Sequence, residues 1–201
     1  MRVGLIPAAG LASRLGITTP KELLLYQGQA IIDYSIDHLI AARVNQIVIV
    51  IRVGKEAIRE HVEEKYAGFP FVFVYQSGAI GRLIDAIKAS YDAIKGHEVY
   101  FCMADTQIKP NPFPNALNSE LLLLCFQAVG DEWRHFGVVD TQGRRIVDKP
   151  SDYVDDMCWG ALAWGPPFTE RLMEANDFTA VMNQAAWDYA LCITSYKDIG
   201  L

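Results

Sequence analysis

Cysteine is scarce and scattered in this chain. Its four thiols, Cys102, Cys125, Cys158 and Cys192, stand far apart in apolar, strand-like contexts. A zinc site would need closer pairs; buried free thiols of a cytosolic protein are expected. Long hydrophobic runs are missing too. The longest, such as Leu121 to Phe126, are far too short to cross a bilayer as a helix, so no membrane partner is expected. One cation precedes the first strand-like segment and no small-residue cleavage site comes after an apolar core. No signal peptide is expected, and a cytoplasmic location is. Basic clusters are absent: 18 Lys and Arg against 24 Asp and Glu give a net charge of −6, which argues against a nucleic-acid polymer as partner. His38, His61, His97 and His135 have no ligand spacing and are assigned no chemistry. Two common phosphate motifs also fail. At the places of G-x-G-x-x-G the chain has Gly10, Ala12 and Leu15, and the Gly-Lys-Ser/Thr of a P-loop does not occur.

The remaining pattern is that of a foldable α/β chain. With 201 residues, 51% of them hydrophobic, it reads as one domain (1–201) able to bury a substantial core. Val3–Ile6, Ile47–Val53, Phe71–Tyr75 and Val99–Met103 are short and rich in β-branched or aromatic residues, as buried parallel strands are. Between them Ile32, Ile36, Leu39 and Ile40, then Ile58, Val62 and Tyr66, then Ile84, Ile87, Tyr91 and Ile94 keep helical spacing. The order βαβαβαβ predicts an open, mostly parallel, Rossmann-like sheet with helices on both faces. Past the Pro-rich Lys109–Asn115 the pattern changes. Strands are expected at Leu121–Phe126, Phe136–Asp140, Arg145–Val147 (after a Gly143 turn) and Trp159–Trp164. Helices are expected near Pro167–Ala175 and Val181–Tyr189, and a last strand at Leu191–Tyr196. The second half thus reads as an α+β extension of the same sheet.

In open parallel sheets ligands sit at the carboxyl ends of the strands, so the residues just past each strand are a test of function. After the first comes Pro7-Ala8-Ala9-Gly10-Leu11-Ala12-Ser13-Arg14-Leu15, and soon afterwards Pro20-Lys21-Glu22-Leu23-Leu24. Small residues let backbone N–H groups approach an anion, and two cations neutralise it, as a polyphosphate site requires. After Phe71–Tyr75 comes Gln76; after Val99–Met103 comes Asp105; after the final strand comes Asp198. An anion loop, an amide and two carboxylates converge on one edge.

This G-x-(G/A)-x-R loop with P-K after it resembles the signature of the sugar-phosphate nucleotidyltransferases, the family of glucose-1-phosphate thymidylyltransferase and UTP–glucose-1-phosphate uridylyltransferase. The resemblance runs over nearly the whole chain. Ala8-Ala9-Gly10-Leu11 with Arg14 and Lys21 looks like the family's nucleoside-triphosphate loop, which assigns Arg14 and Lys21 to the phosphates. Gln76 with Gly81 five residues later resembles its base-reading segment, and Met103-Ala104-Asp105 the step whose aspartate binds the metal. Phe136-Gly137-Val138-Val139, Val147-Asp148-Lys149-Pro150 and Trp159-Gly160 are similar to its sugar-phosphate segments. These imply roles for Gly137, Asp148, Lys149 and Gly160, while Trp159 could edge the sugar pocket. Lys197-Asp198-Ile199-Gly200 is similar to the step supplying a second metal ligand. The chain departs from the pattern at Ala12, where the family has glycine, at Asp148, where it has glutamate, and by one extra residue between Gly81 and Asp85, Arg82 or a neighbour.

The resemblance implies a GT-A-like fold in which residues 1–107 hold the nucleotide and 108–201 the sugar phosphate. It implies Mg²⁺-dependent transfer of a nucleotidyl group from dTTP or UTP to a sugar 1-phosphate, with release of pyrophosphate. Two carboxylates suit Mg²⁺, which takes few protein ligands. Arg14 offers a fork of donors, and Lys21 and Lys149 point charges, for phosphates that would otherwise repel each other. Two other readings stay open: a cytidylyltransferase acting on a non-sugar phosphomonoester such as phosphocholine, and a non-catalytic nucleotide-binding homologue.

Overall fold

The β-branched runs of the first half become parallel strands. In the computed structural model, which describes residues 1–10, 19–78 and 82–199, the chain opens with β1 (Arg2–Pro7), a 3₁₀ turn (Lys21–Leu23) and a small hairpin of β2 (Leu25–Tyr26) and β3 (Gln29–Ala30). Next come α1 (Ile31–Ala41), β4 (Gln46–Ile51), α2 (Glu56–Lys65), β5 (Phe71–Tyr75), α3 (Leu83–Ala89), α4 (Tyr91–Ile94) and β6 (Glu98–Cys102). The second half contains β7 (Thr106–Lys109), β8 (Leu121–Gln127), β9 (Gly137–Asp140), β10 (Arg145–Asp148) and β11 (Met157–Trp164). It closes with α5 (Pro166–Glu174), α6 (Phe178–Gln184), β12 (Trp187–Leu191) and β13 (Ser195–Asp198).

Among the described residues nine strands form one sheet. Its main path runs β10-β9-β11-β6-β1-β4-β5, with β8 also on β11 and β12 on β8. The pairs β1–β4, β1–β6 and β4–β5 are parallel; β11 joins β6 antiparallel and carries the extension. Period-two alternation sends side chains to both faces. Val48 and Val50 pack with Ile84, Ile87, Phe168 and Met182, under α3, α5 and α6. Ile47, Ile49 and Ile51 pack with Ile32, Ile36, Ile58 and Val62, under α1 and α2. All five side chains from Ile47 to Ile51 are fully buried, each worth roughly 1.5–3 kcal/mol against exposure.

Four expectations need correction. The helix expected over Ile84–Ile94 divides at Ser90, whose hydroxyl donates to the Ile87 carbonyl at 2.7 Å between α3 and α4. The helix expected to reach Tyr189 stops at Gln184. Trp187–Leu191 is a strand instead, because it pairs in parallel with Leu121–Cys125 and tertiary hydrogen bonding overrides the local spacing. The last expected strand, Leu191–Tyr196, is two: β12 ends at Leu191, and Cys192 and Ile193 donate to the Cys125 carbonyl before β13 begins. Strand β4 also ends at Ile51, short of the 84%-exposed Val53.

Candidate active site

The carboxyl ends of β1, β5 and β6 surround a cleft of ≈ 160 Å³ whose lining includes Ala9, Gly10, Lys21, Glu22, Gln76, Arg82 and Asp105. Among the described residues nothing lies within 4 Å of the place a Gly10 side chain would occupy, so they leave its backbone open. The turn before it is tied back to the end of β4. Lys55 Nζ donates to the Ala8 carbonyl at 2.8 Å and to Glu22 Oε1 at 2.7 Å, while Arg52 Nε donates to the Ala9 carbonyl. Burial pulls the Lys55 pKa below that of an ordinary lysine, against the opposing pull of Glu22. Lys21 Nζ donates to Asp105 Oδ2 at 2.6 Å. Burial alone would lower the pKa of Lys21, but the carboxylates of Asp105, Glu22 and Asp198 outweigh it and raise the net value. Lys21 is therefore a fixed cation at neutral pH.

Gln76 leaves β5 with its backbone N–H on the Ile51 carbonyl at 2.8 Å. Its side chain is buried and its Nε2 has no hydrogen-bond partner among the described residues. Such a donor costs about 1–3 kcal/mol until something accepts from it. A carbonyl-bearing ligand in the cleft is suited to do so. Arg82, at the start of α3, is held in a fork by Asp85 at 2.9 and 2.8 Å.

A second cleft of ≈ 290 Å³ shares the wall formed by Leu83, Met103 and Asp105, and adds Thr106, His135, Phe136, Gly137, Asp148, Lys149, Trp159, Tyr196 and Asp198. The β9–β10 hairpin delivers Gly137 opposite Asp148. Asp140 pins its turn, accepting from the Gly143 N–H at 2.7 Å and from Arg145 at 2.9 Å. The Asn183 amide satisfies both backbone groups of Ile146, as a neighbouring strand would. Lys149 comes next in the left-handed region, φ +45°, with its N–H on the Phe136 carbonyl at 3.0 Å. That conformation is costly for a residue bearing a Cβ and clusters at functional positions.

Rings form the other walls. A Cβ on Gly137 would lie 2.0 Å from Trp159 Nε1, so only glycine admits the indole there. Tyr196 stacks on Phe126 at 4.2 Å and meets Phe136 edge-on at 5.4 Å. Burial raises the pKa of its hydroxyl. Gly160 is buried beneath this ring, where a Cβ would come within 2.7 Å of it, at the register shift in β11. It makes room for Tyr196 and does not line either cleft.

Strand β13 pairs with β7 so that Asp198 stands opposite Thr106, and Ile199 donates to the Asp105 carbonyl at 2.8 Å. Asp105 and Asp198 thus line one cleft although the whole second half separates them in sequence. No group of three or more His, Cys, Asp or Glu side chains suited to a metal occurs among the described residues. A carboxylate pair fits Mg²⁺, which completes its shell with phosphate oxygens and water, better than zinc.

Of the expected site residues, Ala9, Gly10, Lys21, Gln76 and Asp105 line the first cleft, and Gly137, Asp148, Lys149, Asp105 and Asp198 the second. Ala8 lies just behind, holding Lys55. Leu11, Arg14 and Gly81 lie outside the described residues. Sequence reasoning missed Glu22, Arg52, Lys55, His135 and Tyr196. Arg52 and Lys55 had a signal: they come just after a parallel strand, as Asp105 does, but extending that strand to Val53 hid them.

Residues 4–146 match the model of the MobA-like NTP transferase domain. The chain belongs to that family. This MobA-like NTP transferase is also similar to the UTP–glucose-1-phosphate uridylyltransferase AglF of Haloferax volcanii, at 29% identity over 158 residues, 72% of this chain and 64% of the relative. It spans less than two thirds of the length of the curated relatives it matches. Among solved structures, a protein assigned as a glucose-1-phosphate thymidylyltransferase from Bacillus anthracis, in complex with sucrose, superposes with a TM-score of 0.87 at 17% identity. All of this chain and 90% of that one are covered. A UDP-glucose pyrophosphorylase complexed with UDP-glucose superposes with a TM-score of 0.81 at 18% identity, covering 100% and 94%. These likenesses establish a nucleotidyltransferase fold. No helix among the described residues is long and apolar enough to cross a membrane.

Proposed function

We propose that this protein couples a nucleoside triphosphate, dTTP or UTP, to a sugar 1-phosphate, giving a nucleotide sugar and pyrophosphate. The observation that carries the reading is the shared wall. A cleft at the parallel strand ends, with an open glycine turn and Lys21, meets a second cleft with Asp148 and Lys149, and Asp105 belongs to both. The uridylyltransferase relative supports a uracil or thymine base.

In this reading an oxygen of the acceptor phosphate attacks the α-phosphorus, the bond to the β-phosphate breaks, and pyrophosphate leaves with the electron pair. Such transfer asks for in-line positioning and charge neutralisation rather than a covalent protein nucleophile. Gln76 donates to a base carbonyl beside Gly81. Ala8, Ala9, Gly10 and Leu11 cradle the triphosphate, Lys21 neutralises it and Arg14 takes the departing pyrophosphate. Asp148 accepts from sugar hydroxyls, Lys149 holds the acceptor phosphate, and Gly137 and Gly160 admit the rings that shape its pocket. Asp105 and Asp198 would hold Mg²⁺, which when bound neutralises phosphate oxygens. Residues 1–107 then serve the nucleotide and 108–201 the acceptor, within one domain. A reaction that draws on nucleoside triphosphates fits a cytoplasmic protein.

A second reading keeps the reaction and changes the acceptor. Phe136, Trp159 and Tyr196 beside Asp148 form a ring-lined, acidic pocket, which also suits a quaternary ammonium group such as that of phosphocholine, with CTP as donor. The test is pyrophosphate release from UTP, dTTP, CTP, GTP and ATP, each against several sugar 1-phosphates and phosphocholine, with and without Mg²⁺. Turnover with UTP or dTTP and a hexose 1-phosphate is expected. Turnover only with CTP and phosphocholine selects the second reading, and nucleotide binding without turnover on any pair overturns both.

A further inference from the structure

We propose that Lys55 and Glu22, with Arg52 beside them, are positioning residues that set the nucleotide-binding turn; this rests on the first cleft being the nucleotide site. None of the three is assigned a role by the motifs that identify the site. Each is tied to it by geometry.

Lys55 Nζ bridges two segments that must meet on a triphosphate. It holds the Ala8 carbonyl at the exit of β1 and the Glu22 carboxylate, the residue next to Lys21. Arg52 Nε takes the following carbonyl, that of Ala9. In a trans peptide plane the carbonyl and the next N–H point in opposite directions. Fixing the Ala8 and Ala9 carbonyls toward Lys55 and Arg52 therefore turns the N–H groups of Ala9 and Gly10 away from β4. Both residues line the first cleft. With Lys55 balanced by Glu22, the three side chains keep one net positive charge beneath the turn, where an anion is to be held.

Stability is a poor reason for this arrangement. The pair is almost fully buried, with side-chain exposures of 8% for Lys55 and 1% for Glu22. Burying two opposite charges returns little over a well-packed apolar pair, and replacing such a pair by hydrophobic residues is often neutral or stabilising. The cluster is not even fully satisfied: Glu22 Oε2 and Arg52 Nη2 are buried with no hydrogen-bond partner among the described residues. Polar atoms held in this state cost free energy in the unliganded protein. What the cluster gives in return is the direction of the turn.

A merely structural role and a positioning role separate in one experiment. Melting temperature and equilibrium binding of UTP and dTTP, with Mg²⁺, are measured for the wild type, Lys55→Met, the double variant Glu22→Leu/Lys55→Met, and Arg52→Met. Lys55→Met strands the Glu22 carboxylate, so both melting temperature and affinity should fall. The double variant removes both charges and should recover most of the melting temperature, yet bind nucleotide about tenfold or more weakly, the scale of one lost charged contact. Arg52→Met, at a half-buried site, should lose affinity with little loss of melting temperature, and it stands as the deciding variant if the double one does not fold. Recovery of affinity together with melting temperature in the double variant, or wild-type affinity in Arg52→Met, overturns the proposal. A wild type that binds neither nucleotide overturns the functional reading itself, before any variant is compared.

Discussion

The two clefts share a wall but are built by different means. On the nucleotide side the charges are matched by partners of the protein's own: the part-buried Lys21 with Asp105, the buried Lys55 with Glu22 and, at the surface, Arg82 with Asp85. All stand on or just after turns at the ends of the parallel half. On the acceptor side Asp148 and Lys149 sit exposed at the end of a hairpin, and the shape comes from the packing of Phe136, Trp159 and Tyr196. One cleft is organised by electrostatics and the other by volume. Charge removal should therefore disable the first, and crowding the second.

The sharpest break is at the wall itself. Asp105→Asn should cut turnover by about 10²–10³-fold or more while the melting curve stays close to wild type, because the carboxylate that pairs with Lys21 and would hold Mg²⁺ loses its charge. Pyrophosphate release checks this, and near-wild-type turnover would remove Asp105 from its role. Next in size, Lys149→Gly should raise the acceptor KM by roughly 10- to 100-fold with nucleotide binding unchanged, as loss of a charged hydrogen bond does. The same substitution relieves the left-handed backbone, so denaturant unfolding should report a gain of about 1 kcal/mol. Weakened nucleotide binding would instead collapse the division between the clefts.

Gly137→Ala tests crowding. Its Cβ would press on the Trp159 ring, costing roughly 1–3 kcal/mol of stability and a severalfold rise in acceptor KM, with nucleotide affinity retained. Smallest is a pH effect at the hairpin turn. The Gly143 N–H and Arg145 hold the Asp140 carboxyl below the usual aspartate value of 3.8. Its stabilising contribution is then present above that value and lost as pH falls through the lower, folded-state one. Asp140→Asn should flatten this acid limb of the melting profile, and an unchanged limb would show that the turn is held by other contacts.

The nucleotide side is largely legible in the sequence because each piece comes just after a parallel strand whose β-branched run is self-evident. The run Phe71–Tyr75 marks its strand to the residue, and Gln76 with it. The acceptor side is legible only through motif resemblance. Its rings face each other through antiparallel register: Cys158 opposite Val138, and β13 laid along β7. No local period encodes such pairings. Trp187–Tyr189 makes the point, since its spacing continues a helix until the pairing of Trp187–Leu191 with β8 makes it a strand. Gly160 shows the converse. Its motif is plain in the sequence, but its structural work is to accommodate Tyr196.

The pairing of β13 with β7 has a consequence for the order in which the protein comes into being. Strands β1, β4, β5 and β6 and their helices are all made before β7, so their parallel pairings can form while the rest of the chain is still being made. Asp198 reaches Asp105 only when residues 195–199 have been synthesised and laid against β7. A nascent chain can thus hold the turn proposed to receive a nucleotide before the carboxylate pair exists. On the proposed roles the competence to bind precedes the competence to react, and β13 closes that interval.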